Sequence, residues 1–274
     1  MENVQNAIGR EEEAHDIVTR SLLSRFDAVL GKNDTANAPL GLHWCLAPPH
    51  APMSELAEDG HARKGSFLPD SDLPRRMWAS SSMEFHAPIK VGAQIRKHSK
   101  ISSVKEKQGN SGSLIFVEID HAIFADDLLA VEERQTLVYR AASSVLTPMP
   151  RAIGADLSAW SITREIIPYE AMLFRYSALT FNAHKIHYDA PYTREIEGYP
   201  ALVVHGPLIA SLLLRLASDE FGSLKVAHFS FRGKSPAFVG QKLYLVARRD
   251  GDDMALAAIG ADGRSVMEAE AHAR

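Results

Sequence analysis

The most constraining feature of this 274-residue chain is an apolar segment that runs from Gly206 to Ala217. A glycine stands where a helix would begin, a proline follows in the first turn and leucine dominates thereafter, which predicts an α-helix. Because the segment is apolar almost all round, it needs to be enclosed on every side. A strongly curved antiparallel sheet wrapped about this one helix would enclose it, so we expect an α+β unit here.

The first half of the chain has the alternating pattern of such a sheet. Apolar and acidic residues alternate between 114 and 124, which predicts a half-buried strand. Its inner face would carry Ile115, Val117, Ile119 and Ile123. Runs near 82–87, 93–104 and 130–141 also resemble strands, and the polar stretch Lys105–Gly112 predicts a hairpin turn between two of them.

The N-terminal region before these strands combines a periodic and an irregular segment. Apolar residues recur at helical intervals from Arg10 to Leu30, and Gly31 follows, which predicts an amphipathic surface helix. Residues 31–75 are rich in glycine, proline, asparagine and aspartate and have no sustained period. They predict long irregular connections, which often carry functional residues.

A short motif predicts that the chain is internally duplicated. Pro-x-x-Val-Gly begins at Pro88 and again at Pro236, an interval of 148 residues (236 − 88), and both copies lead into long alternating segments. In each copy the motif would turn the chain between two strands. Thr147–Pro150 and Gly154 interrupt the pattern between the copies, so we expect domains at 1–150 and 151–274.

Composition excludes several classes of protein. Thirty basic against thirty-four acidic residues give a net charge of −4, and no basic run could follow nucleic acid. The single cysteine, Cys45, excludes an internal disulfide and a cysteine-based zinc site and fits a reducing compartment. No secretory signal is visible, and the most apolar stretch, Ala201 to Leu216, is interrupted and shorter than the ~20 residues of a membrane span. We therefore expect a cytoplasmic protein without nucleic-acid or membrane partners.

The segment from Tyr176 to Asp189 concentrates hydrogen-bonding groups beside apolar ones. His187 is a candidate general acid/base because an imidazole exchanges protons near neutrality. His184, His187 and Asp189 could also be drawn as a metal triad, although Asp189 before Ala190-Pro191 suits a helix N-cap better, and we expect no metal. His205 could simply bond backbone at a turn. The motifs of hydrolase elbows, dinucleotide sites and phosphate loops are absent from the sequence.

Two consecutive motifs in the second half resemble those of a known family. The segment 181–187, Phe-Asn-Ala-His-Lys-Ile-His, is followed by Val-Val-His-Gly-Pro-Leu-Ile-Ala-Ser-Leu at 203–212. Together they resemble the hydratase motif of MaoC-like (R)-specific enoyl-CoA hydratases and 3-hydroxyacyl-thioester dehydratases, Gly-Asp-x-Asn-Pro-x-His followed by a His-Gly that opens a helix. With Pro74–Trp78 and Glu84–His86, the likeness extends over most of the chain to a two-domain branch that includes mesaconyl-CoA hydratases.

This resemblance implies an α+β double hotdog, in which each of two units is an antiparallel sheet wrapped on a central helix. The unit at 151–274 would carry the catalytic motif. The unit at 1–150, which lacks the motif, would leave room there for a bulky, branched or carboxylated acyl chain.

The resemblance also assigns roles to single residues. His187 falls on the family's catalytic histidine, and Asn182 falls on its catalytic aspartate. Because an amide cannot shuttle a proton, Asn182 would hold and orient water while His187 carries out the acid/base work. The N–H of Gly206, at the start of the apolar helix, would stabilise negative charge on the thioester oxygen.

Further residues are candidates for binding the acyl-CoA substrate. They are His184, which falls on the family's asparagine, and Tyr176, Phe181, Arg232 and Lys234. Tyr176 and Phe181 could equally be packing residues, and the two cations could equally lie on a solvated edge strand. Arg75 and Arg76 are candidates for holding a second carboxylate of the acyl group.

The expected function is that of a hydro-lyase, which reversibly hydrates an enoyl-CoA to a 3-hydroxyacyl-CoA. The favoured acyl group is short and branched or dicarboxylic, of the mesaconyl type. Coenzyme A would be part of the substrate, and no separate cofactor is expected. Two alternatives stay open: a dehydratase acting on acyl-carrier-protein thioesters, and a non-catalytic acyl-thioester-binding protein. A homodimer is a further expectation.

Overall fold

The computed structural model describes residues 4–32, 37–109, 112–142, 146–222 and 225–274. One antiparallel sheet of ten strands dominates it. The strands are β1 (Glu11–Ile17), β2 (Arg75–Phe85), β3 (Gln94–Gly109), β4 (Gly112–Ala125), β5 (Leu128–Arg140), β6 (Ile162–Ile166), β7 (Val226–Gly233), β8 (Leu243–Asp250), β9 (Asp253–Gly260) and β10 (Ser265–Ala273). The α-helices are α1 (Arg20–Leu30), α2 (Glu170–Thr180), α3 (Ala190–Glu195) and α4 (Gly206–Phe221). The predicted α+β class is confirmed.

The order of the strands shows the duplication. It runs β1-β3-β4-β5-β2-β7-β10-β9-β8-β6, so that each strand of the first half has a counterpart at the mirrored position in the second half. The two copies of Pro-x-x-Val-Gly lie between β2 and β3 and between β7 and β8, where the motif was predicted to turn the chain. Strands β2 and β7 pair directly and make the sheet continuous. The division at 150/151 lies between β5 and β6 and stays a prediction.

Helix α4 lies at the centre of the second half, as its composition predicted. It packs against β7, β8, β9 and β10 and also against β2. Leucines at 208, 213, 214 and 216 have no exposed surface. The helix begins at Gly206-Pro207 and ends before Gly222, whose φ of 98° favours glycine. The first turn of α4 is therefore fixed beside β2, at the junction of the two halves.

The interior of the first half is built differently. Helix α1 has only 11 residues and packs against α2 and α4. A 3₁₀ turn, Leu42–Cys45, and other irregular chain supply further buried residues to the main hydrophobic core. A second apolar cluster lies at the far end of β3, β4 and β5, where Phe67, Leu68 and Leu73 cover it. The predicted irregular segment 31–75 thus contributes to the core.

The helix predicted from Arg10 to Leu30 is half wrong. Residues Glu11–Ile17 form β1, an edge strand paired with β3. Its acidic side chains meet cations of β3, as in the 2.7 Å ion pair between Glu11 and Lys100. The helix starts only after Thr19, whose hydroxyl accepts a hydrogen bond from the N–H of Leu22.

The hairpin predicted at Lys105–Gly112 is also shorter than expected. Strand β3 continues to Gly109 and β4 starts at Gly112, so most of this polar stretch is strand. Residues 110 and 111 lie outside the described residues. No α-helix in the described part of the chain is long and apolar enough to cross a membrane.

Candidate active site

The turn that follows α2 places the first candidate residues. Phe181 ends the helix with a left-handed backbone (φ 50°), and the N–H of Asn182 donates to the carbonyl of Ser177. The side-chain Oδ1 of Asn182 accepts a hydrogen bond from the N–H of His184 at 3.0 Å. Asn182 therefore shapes the turn that leads to His187.

His187 is buried at the end of a 3₁₀ turn, Lys185–His187. Its Nδ1 lies 2.7 Å from the carbonyl oxygen of Val203. Because a carbonyl can only accept, Nδ1 carries the hydrogen and Nε2 has a free lone pair. Burial lowers the pKa of His187 to about 4, so at neutral pH the imidazole is uncharged and Nε2 is a proton acceptor.

The imidazole of His187 stacks on that of His205, with ring centroids 3.5 Å apart and an interplanar angle of 18°. His205 caps α4, so the stack places His187 next to Gly206, the first residue of that helix. The first N–H groups of a helix lack intrahelical partners and lie at its positive end. A Cβ on Gly206 would approach nothing closer than 3.9 Å, the carbonyl oxygen of Trp78.

His205 has a more specific role than a backbone contact at a turn. Its Nε2 is hydrogen-bonded to the hydroxyl of Ser177 at 2.8 Å, and its ring lies edge-on to Tyr176. Its Nδ1 is buried and has no hydrogen-bond partner in the described structure. Burial lowers the pKa of His205 well below its usual value, so this ring is also neutral.

The irregular segment of the first half contributes a third group of residues to the site. Asp59 and His61 lie against the turn that carries His184, with His61 Nδ1 donating to the Asp59 carboxylate at 2.8 Å. The rings of His61 and His184 are 4.0 Å apart, and His184 meets His187 edge-on at 5.5 Å. Four imidazoles therefore form a continuous row from His61 to His205.

Comparison with known proteins shows the family of this chain. Residues 41–239 match the family described as hydroxyacyl-thioester dehydratase type 2. The match covers most of both halves. This chain belongs to that family.

Two groups of relatives extend the comparison. The chain is 40% identical to a mesaconyl-C(4)-CoA hydratase of Chloroflexus aurantiacus over 96% of this chain and 95% of that one. Among solved structures, a MaoC-like dehydratase from Phytophthora capsici matches with a TM-score of 0.72 at 14% identity, over 99% and 97% of the two chains. A Mycobacterium tuberculosis protein described as a double hotdog matches with a TM-score of 0.60 at 12% identity, over 97% and 96%. The predicted double hotdog is confirmed.

The structure separates the two explanations of Asp189 in this dehydratase family member. Its carboxylate caps α3 by accepting from the N–H of Tyr192 at 3.0 Å, which is the N-cap predicted. The residues that could be compared with a metal site are instead Asp59, His61 and His184, whose donor atoms lie within 4.8 Å of one another. Since Asp59 and His61 are hydrogen-bonded to each other, we interpret them as an acid–base pair.

Three of the five candidate substrate-binding residues lie apart from the histidine row. Phe181 is 64% exposed beside the turn. Arg232 alternates with the buried Phe231 in β7 and therefore lies on the outer face of the sheet. Lys234 is exposed just beyond β7, where its Nζ pairs with Glu268 at 2.9 Å. The sheet thus places neither cation beside His187, and their proposed contact with the phosphates of coenzyme A stays a prediction.

The other two candidates do lie at the site. His184 is buried between His61 and His187. Tyr176 is fully buried, and its hydroxyl lies 3.4 Å from that of Ser211 on α4. Tyr176 therefore packs behind His205, in agreement with the alternative that it is a packing residue.

The two arginines proposed to hold a carboxylate point in different directions. Arg75 is buried and forms a 2.7 Å ion pair with Glu197, so its charge is already balanced. Arg76 lies close enough to the histidine row for its charge to lower the pKa values of His61 and His184, after the larger effect of burial. Of the two, Arg76 is the one whose charge acts on the histidine row, and it also acts on the Tyr139 hydroxyl, whose pKa burial raises and Arg76 lowers.

Sequence reasoning missed Asp59 and His61. The sequence offered one local indication of this pair: Asp59 lies two residues before His61, within the predicted irregular segment 31–75. Their partner, His184, lies more than 120 residues later in the chain, so the contact depends on the fold.

Proposed function

We propose that this protein catalyses the reversible hydration of a 2-enoyl-CoA to a 3-hydroxyacyl-CoA. The observation that carries the proposal is the His187 imidazole: it is held by the Val203 carbonyl, its Nε2 is free to accept, and it stacks against the residue that caps α4. This places a proton acceptor beside a helix N-terminus that favours negative charge.

The reaction follows from these two groups. The oxygen of a water molecule bonds to the β-carbon while His187 Nε2 takes one of its protons. The electron pair of the double bond moves to the α-carbon and is delocalised onto the thioester oxygen, where the N–H of Gly206 stabilises it. The imidazolium then returns the proton to the α-carbon. Atoms balance, and the enzyme returns to its starting state.

Asn182 and His184 position the water in this scheme. The Asn182 side chain already fixes the turn through the N–H of His184, and its amide can hold a water molecule without exchanging protons with it. Coenzyme A enters as part of the substrate, and we propose no separate cofactor.

The favoured substrate has a short branched or dicarboxylic acyl group. The support is the 40% identity to a mesaconyl-C(4)-CoA hydratase over nearly all of both chains. In the first half, no helix of the length of α4 occupies the described core, so we propose that residues of that half line the acyl pocket. A ligand-bound structure with the acyl group wholly within residues 160–274 would count against this. A cytoplasmic location and a homodimer stay predictions.

The test is a panel of enoyl-CoA thioesters followed by the absorbance of the conjugated enoyl group. We expect hydration of at least one branched or dicarboxylic member, and loss of turnover in His187→Ala without loss of folding. Turnover only with acyl-carrier-protein thioesters would favour the dehydratase alternative. Binding of acyl-CoA without any turnover would favour a binding protein.

A further inference from the structure

The site has a histidine base but lacks the carboxylate that the resemblance places beside it. Asn182 occupies that position, and its Oδ1 is used in the turn. When His187 takes a proton it becomes a buried cation, which its surroundings disfavour. Burial lowers the pKa of His187, the hydrogen bond to the Val203 carbonyl raises it, and the charge of a protonated His61 lowers it further. A negative charge near the row of imidazoles would stabilise the imidazolium.

Asp59 is placed to supply that charge. Burial alone would raise the pKa of Asp59, but the hydrogen bond from His61 holds it below its usual value, so the group is a carboxylate at neutral pH. Burial lowers the pKa values of His61 and His184, and the negative charge of Asp59 raises both of them. The other groups that act on the row are His205, stacked on His187, and the cation Arg76.

The loop that carries Asp59 is built onto the catalytic turn. The carbonyl of Asp59 accepts from the N–H of Lys185 at 2.8 Å. Gly60 has a φ of +89°, and a Cβ there would lie 1.9 Å from the carbonyl oxygen of Ala183. Only glycine allows this approach of two backbones. The first half of the chain is therefore fixed against the turn between Asn182 and His187.

We propose that the Asp59–His61 pair, acting through His184, replaces the missing carboxylate and stabilises the imidazolium of His187 during proton transfer. The inference rests on the proposed function. Asp59 and His61 are positioning residues in this scheme. The first half of the duplicated chain would then complete the catalytic machinery of the second.

The experiment measures kcat and the pH profile of kcat/KM for Asp59→Asn and His61→Gln. We expect kcat to fall about 10- to 100-fold, which is less than the roughly 10²- to 10⁴-fold that a general acid–base group itself contributes, because the pair acts through another residue. Asp59→Asn removes a negative charge near the base and should lower its pKa, so the acidic limb of the profile of that variant should move to lower pH. His61→Gln serves as the second variant if Asp59→Asn does not fold.

Rescue separates this role from a structural one. Asn182→Asp restores a carboxylate at the family's position, and its Oδ1 can still accept from the N–H of His184. We expect the double variant Asp59→Asn/Asn182→Asp to recover most of the lost kcat and to return the acidic limb towards its original position. Glu58→Gln removes an exposed neighbouring charge and should leave kcat unchanged.

The outcomes distinguish the two proposals. If the unaltered protein hydrates no enoyl-CoA, the proposed function fails. If it turns over and His187→Ala does not, while both Asp59→Asn and His61→Gln keep full kcat and an unchanged profile, this inference alone fails. One equivalent of a divalent metal ion that the unaltered protein retains and Asp59→Asn loses would also overturn it, in favour of a metal centre.

Discussion

The two halves of the molecule share a strand order but enclose different interiors. In the second half the sheet packs on α4, whose buried side chains are almost all apolar. In the first half the corresponding strands enclose a buried carboxylate, Glu133, which accepts hydrogen bonds from the indole of Trp44 and from the hydroxyl of Ser81 at 2.6 Å. Duplication has thus preserved the sheet, while among the described residues the long enclosed helix and the His187–His205 stack belong to the second copy.

This contrast indicates what each half contributes to the proposed active site. A well-packed helix provides a rigid N-terminus beside His187, and a fixed position is what oxyanion stabilisation requires. The described residues of the first half hold no helix of that length, and the irregular chain there reaches across to the second half at Asp59 and His61. The predictions below compare matched residues of the two halves, beginning with the largest expected effect.

The first prediction compares two buried histidines. His187→Ala should lower kcat by about 10²- to 10⁴-fold, because it removes the proposed general base. His121, buried in the first half between Ser99 and Gln135, is the matched control, and His121→Gln should change kcat little. Steady-state kinetics on purified, folded variants measures both. Equal losses would show that the halves do not differ in chemistry.

The second prediction concerns the link between the halves. Arg75 of β2 and Glu197 form a buried ion pair, and Arg75→Ala would leave a carboxylate buried without its partner. We expect a loss of about 3–5 kcal/mol in the free energy of unfolding. The exposed pair of Arg134 and Asp120 is the control: Arg134→Ala should cost about 0.2–1 kcal/mol.

Urea denaturation measures both variants. The double variant Arg75→Met/Glu197→Met should regain most of the lost stability, since it leaves no unpaired charge. If the double variant does not regain that stability, the ion pair itself stabilises the fold, beyond balancing two buried charges.

The third prediction compares the helices. Leu213 of α4 is fully buried, and Leu213→Ala should cost about 2–5 kcal/mol, towards the upper end because the enclosed helix cannot move to fill the cavity. Leu22 of α1 is 8% exposed in a short helix, and Leu22→Ala should lie at the lower end of the same range. A larger loss in α1 than in α4, measured by thermal or urea unfolding, would contradict the assignment of α4 as the main core element.

The features that the sequence predicted correctly are those determined by residues close together along the chain. Helix α4 and the long strands follow from periodicity within a dozen residues, and the Pro-x-x-Val-Gly repeat predicted the duplication. The roles of His187 and Gly206 came from the family resemblance, and the structure places both at one helix end. Alternation along β7 places Arg232 opposite the buried Phe231, which agrees with the alternative of a solvated edge position that the sequence left open.

What the sequence missed depends on distant partners. Strand β1 is stabilised by cations of β3 more than 80 residues away, while its own residues also fit a helical period. The Asp59–His61 pair acquires its significance only where the fold places it against His184. Hydrophobic periodicity and secondary-structure propensity cannot predict such contacts, because both describe residues that are neighbours along the chain.

The last prediction uses pH to compare the buried acid of the first half with the buried base of the second. Burial raises the pKa of Glu133, whereas burial lowers that of His187 to about 4. Glu133 therefore favours folding while it is protonated, and that contribution is lost as pH rises from the unfolded value of 4.5 through the folded one. His187 contributes in the opposite sense, because its stabilising effect is present above pH 6.5 and is lost as pH falls towards 4.

Glu133→Gln should therefore gain stability relative to the unaltered protein as pH rises above the unfolded value of 4.5, when free energies of unfolding in urea are compared. His187→Gln should gain relative stability in the other direction, as pH falls below 6.5. Glu132→Gln is the matched control on the same strand, since the Glu132 side chain is 55% exposed and its ion-pair partner, His86, also lies at the surface. A Glu133→Gln difference that is constant with pH would mean that this carboxylate is stabilised by Trp44 and Ser81 as fully as water stabilises it, and the polar interior of the first half would then impose no cost on the fold.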